Sequence, residues 1–242
     1  MCAVHYIGEM RGDLKTEFRA VSTEFLLGRA LNDVEKKYSP RVLYISGSMS
    51  VPIPSPRVAI VGTRAPSYEG RKTAFGLASA LAEKGVIVIS GLARGIDSEA
   101  HKGAINVKGS TIAVLGTPRN IFYPKENQQL QTEIMTNHLT VSQFPLNKPV
   151  YKSNFILRNR TMALLCDASI IVEAGDSSGT LSQGWEALRL GRPLFIWQDA
   201  FKNHDLKWTH QMMRYGAREF SDLETVFEEL PDRSTPFGLP QW

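Results

Sequence analysis

The chain has 242 residues, of which 43% are hydrophobic, so it is long enough for one large or two small domains with their own core. Its net charge of +4 permits a polyanionic partner without requiring one, because a small excess produces little field unless it is clustered. The two cysteines, Cys2 and Cys166, exclude a disulfide framework and a structural zinc site, and no apolar stretch approaches a membrane span. We therefore expect a cytoplasmic protein with no metal, no cofactor and no membrane partner.

Residues 1–41 are predicted to form a helical extension. In the stretch TEFRAVSTEFLLGRALNDVEKKY, apolar side chains recur near a helical period, which favours a lid or a packing helix. These side chains are Phe18, Val21, Phe25, Leu26 and Leu31. The run VLYISG that follows is typical of a short strand, and the three prolines of SVPIPSPR predict an extended connector.

From residue 57 onward, short apolar runs alternate with helical segments. Strands are predicted at RVAIVG, VIVISG, TIAVLG, LTVSQF, ASIIVEA and PLFIW. Strands that are apolar throughout, joined by long crossovers, indicate a parallel sheet covered on both faces. The prediction is an α/β fold, a doubly wound and mostly parallel Rossmann-like sheet over residues 42–230, followed by an extended tail over residues 231–242.

Ligands of open α/β sheets bind at the carboxyl ends of the strands. The turn after the strand RVAIVG has residue types that can bind a phosphate. Gly62 lets the backbone turn tightly, Thr63 offers a hydroxyl group and Arg64 places a cation at the strand tip. Free amides at the next helix start would add positive potential. An ordinary turn with a solvated arginine is the alternative. The GxGxxG fingerprint is missing, which disfavours a nicotinamide cofactor.

The stretch SGLARGIDSEAHKGAI leaves a buried strand through a turn that has few large side chains. Its small residues are predicted to let a sugar–phosphate backbone approach; they are Ser90, Gly91, Ala93 and Gly95. Arg94 would contribute charge at that surface. Asp97 is predicted to be the N-cap of the next helix and to pair with His101 one turn later, rather than to bind a metal, because no further ligands are visible.

The stretch VEAGDSSGTLSQGWEA places a polar turn after another buried strand. Ser178, Gly179 and Thr180 are the expected donors of amide and hydroxyl groups to an anion at the helix start. No lysine follows the glycines in a Walker pattern, which disfavours ATP hydrolysis of the P-loop kind.

The segment KPVYKSNFILRNR interleaves cations with aromatic rings, a pattern typical of a track for single-stranded nucleic acid. The cations are Lys148, Lys152, Arg158 and Arg160, and the rings are Tyr151 and Phe155. The alternative is that the apolar side chains are core and the charges are solvated. Nowhere in the chain does a nucleophile stand with a base, so we predict no catalytic residue and no enzymatic activity.

Several of these segments together resemble the DNA-processing protein A family, also called Smf. The segments are VAIVGTR, SGLARGIDSEAHKGAI, GSTIAVLGTPRNIFYPKENQQLQTEI, RNRTMALLCDASIIVEAGDSSGTLSQGWEAL and GRPLFIW. The resemblance implies a Rossmann-like fold, binding of single-stranded DNA without sequence preference, a homodimer, and transfer of the DNA to a RecA-type recombinase. It also implies DNA contacts by Arg64, Lys152, Phe155, Arg158 and Arg160. The chain departs from the family pattern at TPRNIF, QDA and SGTLSQG.

A second interpretation places the chain in another functional class. The wider superfamily contains sensors of small nucleotides and enzymes that cleave them, and here Glu173 and the SSGT turn would hold a phosphate or ribose. The motif PGGxGT of the cleaving enzymes is missing, which weakens that version. A scaffold with a vestigial pocket is a third possibility. Trp208, Met212, Met213 and Tyr215 form the candidate dimer surface, the alternative being that they pack on the sheet.

Overall fold

A computed structural model describes residues 18–232. Cys2, residues 1–17 of the expected extension and residues 233–242 of the expected tail lie outside this range. The elements in chain order are β1 (Phe18–Val21), α1 (Thr23–Leu27), α2 (Asp33–Lys36), β2 (Leu43–Gly47), β3 (Arg57–Val61), α3 (Tyr68–Glu83), β4 (Ile87–Ser90), α4 (Ile96–Asn106), β5 (Thr111–Leu115), α5 (Gln128–Asn137), β6 (Leu139–Ser142), α6 (Lys152–Leu165), β7 (Ala168–Ile171), α7 (Thr180–Arg189), β8 (Leu194–Trp197), α8 (Lys207–Arg214), β9 (Arg218–Phe220) and α9 (Glu224–Phe227).

One sheet of nine strands runs through the described chain in the order β1-β2-β6-β5-β4-β3-β7-β8-β9. The pairs from β6 to β9 are parallel, whereas β1 with β2 and β2 with β6 are antiparallel. The predicted doubly wound, mostly parallel α/β fold is confirmed. From β3 the chain builds outward to β6 on one side and then returns to build β7 to β9 on the other, so the strand order reverses between β3 and β7. Within residues 18–232, no helix combines the length and apolarity needed to cross a membrane.

The expected single helix near the amino terminus is wrong over the described residues. Residues Phe18–Val21 form a strand that pairs with β2, and the Phe18 ring stacks on Tyr44 with centroids 5.8 Å apart. Two short helices follow because Ser22 caps the first and Asn32 caps the second, each accepting a hydrogen bond from a backbone amide. The apolar residues with near-helical spacing are therefore divided between β1, α1 and the loop before α2, and the sheet begins upstream of residue 42.

The core lies on both faces of the sheet, as the uninterrupted apolar strands indicate. Alternate residues of β3 point to opposite faces, and all five are buried. Val58 and Ile60 pack with α3 and α4, while Ala59 and Val61 pack with α6. Because helices cover both faces of the sheet, polar groups lie mainly at the ends of the strands.

The amino ends of β3 and β7 are joined by an ion pair between the buried Arg57 and the partly buried Asp167. The carboxylate of Asp167 accepts hydrogen bonds from the Arg57 guanidinium, the Arg57 amide and the Ser55 hydroxyl, at 2.7 to 3.1 Å. Burial by itself would raise the pKa of Asp167, but the bonds from Arg57 outweigh it and hold that pKa below its usual value. The pair fixes the two central strands at the edge of the sheet opposite their carboxyl ends.

Candidate functional site

A cavity of about 590 Å³ opens at the carboxyl ends of β3 and β7, where the strand order reverses. We refer to it as the cleft. Its walls are the turn after β3, the first half of α6 and the polar turn that begins α7. The polar and aromatic side chains and glycines that line it are Gly62, Thr63, Arg64, Asp97, Tyr123, Lys152, Phe155, Arg158, Asn159, Gly175, Ser177, Ser178, Gly179, Thr180 and Gln183.

Helix α6 supplies three of the predicted contacts to the cleft. Lys152 is exposed at the start of the helix, Phe155 is half-buried one turn later, and Arg158 is buried in the next turn. Positions three residues apart lie on one face of a helix, so the three side chains form one wall. The alternative, that the apolar side chains of this segment are core, is wrong, because Ile156 and Leu157 are 51% and 37% exposed.

Arg158 is a buried cation whose donors are only partly satisfied. Its side chain is 5% exposed, its Nη1 donates to the carbonyl of Val114 at 3.4 Å, and its Nε has no partner within the described residues. The nearest carboxylate oxygen is Oδ2 of Asp97, 3.7 Å from Nη1. Burial lowers the pKa of Arg158 while Asp97 opposes that change, and burial raises the pKa of Asp97 while Arg158 opposes it.

Two glycines of the stretch SGLARGIDSEAHKGAI serve close packing within the protein. A Cβ atom at Gly91 would overlap the guanidinium of Arg158, so the clearance is already filled by that side chain. Gly95 has φ +76° and lies against the carbonyl of Thr63 in the turn after β3. The expectation that both glycines leave room for a nucleic-acid backbone is wrong. The space beside Gly91 holds the guanidinium of Arg158, and the space beside Gly95 holds the carbonyl of Thr63.

An aromatic pair forms the mouth of the cleft. The rings of Tyr123 and Phe155 have centroids 5.2 Å apart at an angle of 45°, and Tyr123 is 47% exposed. The guanidinium of Arg64 lies 5.6 Å from the centroid of Phe155. Arg94 lies beside a small recess behind these rings and is paired with Glu126 at 3.3 Å. Tyr123 was not singled out from the sequence, although it lies within a segment that carries the family resemblance.

The turns predicted to bind phosphate hold one another in place. The hydroxyl of Thr180 donates to the carbonyl of Gly62 at 2.7 Å, and the amide of Thr180 donates to the hydroxyl of Ser178 at 3.2 Å. The side-chain amide of Asn159 donates to the carbonyl of Gly179. Gly179 is the N-cap of α7 and has no side chain that could accept a hydrogen bond from the helix. The first three amides of α7 already donate to Ser178 and Gly179, so the donors predicted for an anion at this helix start are used within the turn.

The amide of Thr63 donates to the carbonyl of Glu173 at 2.7 Å, which closes the turn after β3 against the end of β7. The carboxylate of Glu173 accepts hydrogen bonds from the amide and the hydroxyl of Ser67, next to the start of α3. Glu173 lines a neighbouring hollow of about 370 Å³ and not the cleft itself. In the small-nucleotide interpretation Glu173 would bind a ribose, but here its carboxylate stabilises the start of α3.

Two predicted contacts lie elsewhere in the structure. The hydroxyl of Ser90 is fully buried and donates to the carbonyl of Ile60 at 2.7 Å, so it is not available to a ligand. Arg160 does not line the cleft; its Nε donates to Glu186 at 2.8 Å and its guanidinium lies 5.1 Å from the ring centroid of Tyr38. Residues two positions apart in a helix are separated by about 200° around its axis, so Arg158 and Arg160 face different sides of α6.

The expected arrangement of Asp97 and His101 is also corrected. Gly95 is the N-cap of α4, and Asp97 lies inside the first turn and faces Arg158. The Nδ1 atom of His101 bonds the hydroxyl of Thr111 at 2.7 Å, and burial lowers the pKa of His101 to about 3. Both side chains are therefore committed to the core between α4 and the sheet.

Cys166 is a free, fully buried cysteine whose sulfur donates to the carbonyl of Ala163 at 3.4 Å, and burial raises the pKa of its thiol. Such a thiol is chemically inert. Within residues 18–232, no group of three or more histidine, cysteine or acidic side chains is placed to hold a metal ion.

Two residues of the candidate dimer surface are buried in the core and the other two are exposed. Trp208 is 2% exposed and its indole donates to the carbonyl of Ala174 at 3.1 Å, while Met212 is fully buried. Both pack on the sheet, as the alternative held. Met213 and Tyr215 are exposed, at 38% and 71%.

The fold and the cleft define a doubly wound α/β protein with a cationic, ring-lined cavity at the point where its strand order reverses. The chain belongs to the DNA recombination-mediator protein A family, whose model matches residues 28–231. It is 32% identical to the DNA processing protein DprA of Bacillus subtilis over 201 residues, which are 83% of this chain and 68% of that one. It is 35% identical to the protein Smf of Escherichia coli, again over 83% of this chain but only 52% of that one.

Solved structures agree with this assignment. The X-ray structure of DNA processing protein A from Streptococcus pneumoniae matches with a TM-score of 0.74 and 30% identity, over 89% of this chain and 75% of that chain. DNA processing protein A from Helicobacter pylori, whose structure describes a single-stranded DNA binding mode, matches with a TM-score of 0.74 and 26% identity, over 88% of this chain and 95% of that chain.

Proposed function

We propose that this protein binds single-stranded DNA in the cleft and that it is a binding protein without catalytic activity. One observation carries the proposal: the cations Arg64, Lys152 and Arg158 converge on a single cavity around the exposed edge of Phe155. The family assignment supports it, because the Helicobacter pylori relative binds single-stranded DNA.

The charge of the cleft favours a polyanion. Within residues 18–232, Arg64 and Lys152 form no ion pair, and Arg158 has only the carboxylate of Asp97 at 3.7 Å. A buried cation with an unpartnered donor is costly unless an anion compensates it. A phosphate in the cleft would provide that compensation through charge-assisted hydrogen bonds.

The rings of the cleft favour unpaired bases. Tyr123 and Phe155 lie at the mouth, where a base without a partner could stack on either ring. Stacking of this kind contributes about 1–3 kcal/mol per base and tolerates any sequence, because every base has a π-face. A duplex keeps its bases stacked on one another, so the same rings would contribute little to duplex binding.

The absence of catalysis is part of the proposal and rests on the lining of the cleft. Ser177, Ser178 and Thr180 are its hydroxyl-bearing side chains near α7, and none of the histidines of residues 18–232 lines the cavity. A serine or threonine without a neighbouring base is a weak nucleophile. We also propose, on the family resemblance, a cytoplasmic homodimer that passes its DNA to a RecA-type recombinase.

A mobility-shift titration over a salt series tests the proposal. Oligo-dT should bind more tightly than duplex DNA of the same length, and the logarithm of its affinity should fall with the logarithm of salt by about 0.7 for each neutralised phosphate. Lys152→Ala should lower both the affinity and the slope, whereas Lys84→Ala, at the far end of α3, should change neither. Saturable binding of thymidine monophosphate without binding of oligo-dT would replace the proposal with the small-nucleotide sensor.

A further inference from the structure

A loop with exposed apolar, aromatic and cationic side chains connects the end of β6 to the start of α6, beside the cleft. It comprises residues 143–151, and its exposed members include Leu146, Lys148, Val150 and Tyr151. We refer to these four side chains as the loop surface. In the sheet, β6 lies on the opposite side of β3 from β7 and β8. The loop therefore approaches α6 from the side away from α7 and α8.

Backbone contacts hold the loop in a defined shape. Phe144 is 2% exposed, and its amide donates to the hydroxyl of Ser142 at 3.1 Å. The amide of Lys148 donates to the carbonyl of Pro145 at 3.3 Å across a turn. Asn147 in this turn has φ +65°, a conformation that asparagine tolerates better than most residues. A formed turn, rather than an unsupported stretch of chain, therefore presents Lys148 to solvent.

The loop surface is continuous with the cleft along one face of α6. Tyr151 is the N-cap of α6 and directly precedes Lys152, which lines the cleft. Residues four and seven positions apart lie on nearly the same face of a helix, so Tyr151 lies in line with Phe155 and Arg158. Arg158 is 5% exposed, Phe155 is half-buried and Tyr151 is 58% exposed. This line leads from the floor of the cleft to solvent over about 10 Å.

The loop and the first turn of α6 are positively charged. Residues 143–166 contain no acidic residue, and their cations are Lys148, Lys152, Arg158 and Arg160. Among residues 18–232, the ion pairs of lysine side chains include neither Lys148 nor Lys152. No side chain caps the start of α6. The positive end of the helix dipole therefore adds to the charge of the two lysines, and together they attract an anion.

The ring of Tyr151 is available to a ligand. The aromatic contacts within residues 18–232 join Tyr123 to Phe155 at the mouth of the cleft but do not include Tyr151. Two apolar side chains of the same loop, Leu146 and Val150, are also exposed, at 39% and 38%. An exposed ring that two cations flank in the chain has the composition of a surface on which an unpaired base stacks while its phosphates are neutralised.

We propose, resting on the function proposed for the cleft, that the loop surface is a second subsite for the same DNA strand. The strand leaves the cleft past Lys152, a base stacks on Tyr151, and Lys148 neutralises the next phosphate. A second copy of the chain fits the loop surface less well. At a two-fold interface the surface would face its own kind, and its lysines would find no acidic partner in residues 143–166 of the other copy.

Fluorescence anisotropy with oligo-dT of increasing length, from about 4 to about 16 nucleotides, tests the proposal. The double variant Lys148→Gln/Tyr151→Leu should bind the shortest oligomer, which fills only the cleft, with unchanged affinity. Its affinity for the longest oligomer should fall about tenfold, and the salt slope for that oligomer should fall by about 0.7. Tyr151→Trp should bind every length like the unaltered protein, because an indole ring also stacks on a base.

The matched control is the double variant Phe25→Leu/Lys84→Gln. It removes an exposed ring of α1 and an exposed lysine at the end of α3, and neither residue belongs to the cleft or to the loop surface. The control should bind oligo-dT of every length like the unaltered protein.

The outcomes separate this inference from the function proposed for the cleft. If Lys152→Ala weakens binding of every length while the Lys148/Tyr151 variant weakens none, the loop surface is not a DNA subsite and the cleft keeps its function. If the Lys148/Tyr151 variant weakens the shortest and the longest oligomers equally, the loop acts only on the cleft and the inference is overturned. It is also overturned if that variant changes the sedimentation of the DNA-free protein, because the loop surface is then a contact between copies. If the unaltered protein binds no length, both proposals fail.

Discussion

The guanidinium of Arg158 lies in the space that a side chain at position 91 would occupy. Gly91 comes directly after β4, and Arg158 belongs to α6, so the contact joins two distant parts of the chain across the carboxyl ends of the strands. The glycine therefore acts on the cleft indirectly, by permitting the buried position of its central cation.

Gly91→Ala should displace that guanidinium and weaken binding of oligo-dT about tenfold, the loss expected when one charge-assisted hydrogen bond is removed. The matched control is Gly76→Ala, because a Cβ at Gly76 on α3 meets no atom within 4 Å. Anisotropy titrations of both variants provide the measurement. Unchanged affinity in the Gly91 variant would show that the position of Arg158 does not matter for binding.

Phe155→Leu should weaken binding of oligo-dT about tenfold without changing the salt slope, because a ring contributes stacking but neutralises no phosphate. Lys152→Ala should change the slope as well. Phe25→Leu removes a ring that is 46% exposed on α1 and lies outside the cleft, and it should bind like the unaltered protein. A lower slope in the Phe155 variant would mean that the ring acts by holding Arg64 rather than by stacking.

His101 should make the protein less stable as the pH falls. The pKa of His101 is about 3 in the folded protein, against about 6.5 for an unfolded histidine. The unfolded state therefore takes up the proton first, and the stability present above pH 6.5 is progressively lost toward pH 3. Physically, the hydroxyl of Thr111 accepts from Nδ1 and donates to the carbonyl of Val88. Nε2 has no partner within residues 18–232, so a second ring proton would be buried there without an acceptor.

His101→Asn should remove this pH dependence while keeping an N–H group near Thr111. Between pH 7 and pH 5 the unaltered protein should lose about 2 kcal/mol more unfolding free energy than the variant. Urea denaturation at the two pH values measures the difference. Equal losses in the two proteins would contradict a neutral, buried His101.

Asp167→Asn should destabilise the fold by about 3 kcal/mol at pH 7, because it leaves the buried guanidinium of Arg57 without a counter-charge. The pKa of Asp167 is lowered in the folded state, so its contribution is present above the unfolded pKa and is lost as the pH falls through the folded one. Asp33→Asn, at a fully exposed carboxylate, is the control and should leave stability unchanged. Thermal unfolding measures the stability of both variants. If the Asp167 variant binds oligo-dT with unaltered affinity below its melting temperature, the substitution affects stability and not binding.

The pattern of the sequence by itself determined the α/β class, most strands and helices, and the edge of the sheet where the cleft lies. Strands buried on both faces must be apolar throughout, and this local property can be read without knowing their neighbours. The family resemblance agreed with that reading. The strand β1 was missed because four residues become a strand only by pairing with β2, which is a contact distant in sequence.

Only the tertiary structure decided which cations meet. Arg158 and Arg160 are equivalent in composition, but the rotation of α6 buries the first in the cleft and turns the second toward Glu186. Likewise, the turn at Gly91 looked like open space for a ligand until Arg158 was found in it. A linear pattern specifies which elements form, whereas the packing of distant elements specifies where each side chain points and what fills the space beside it.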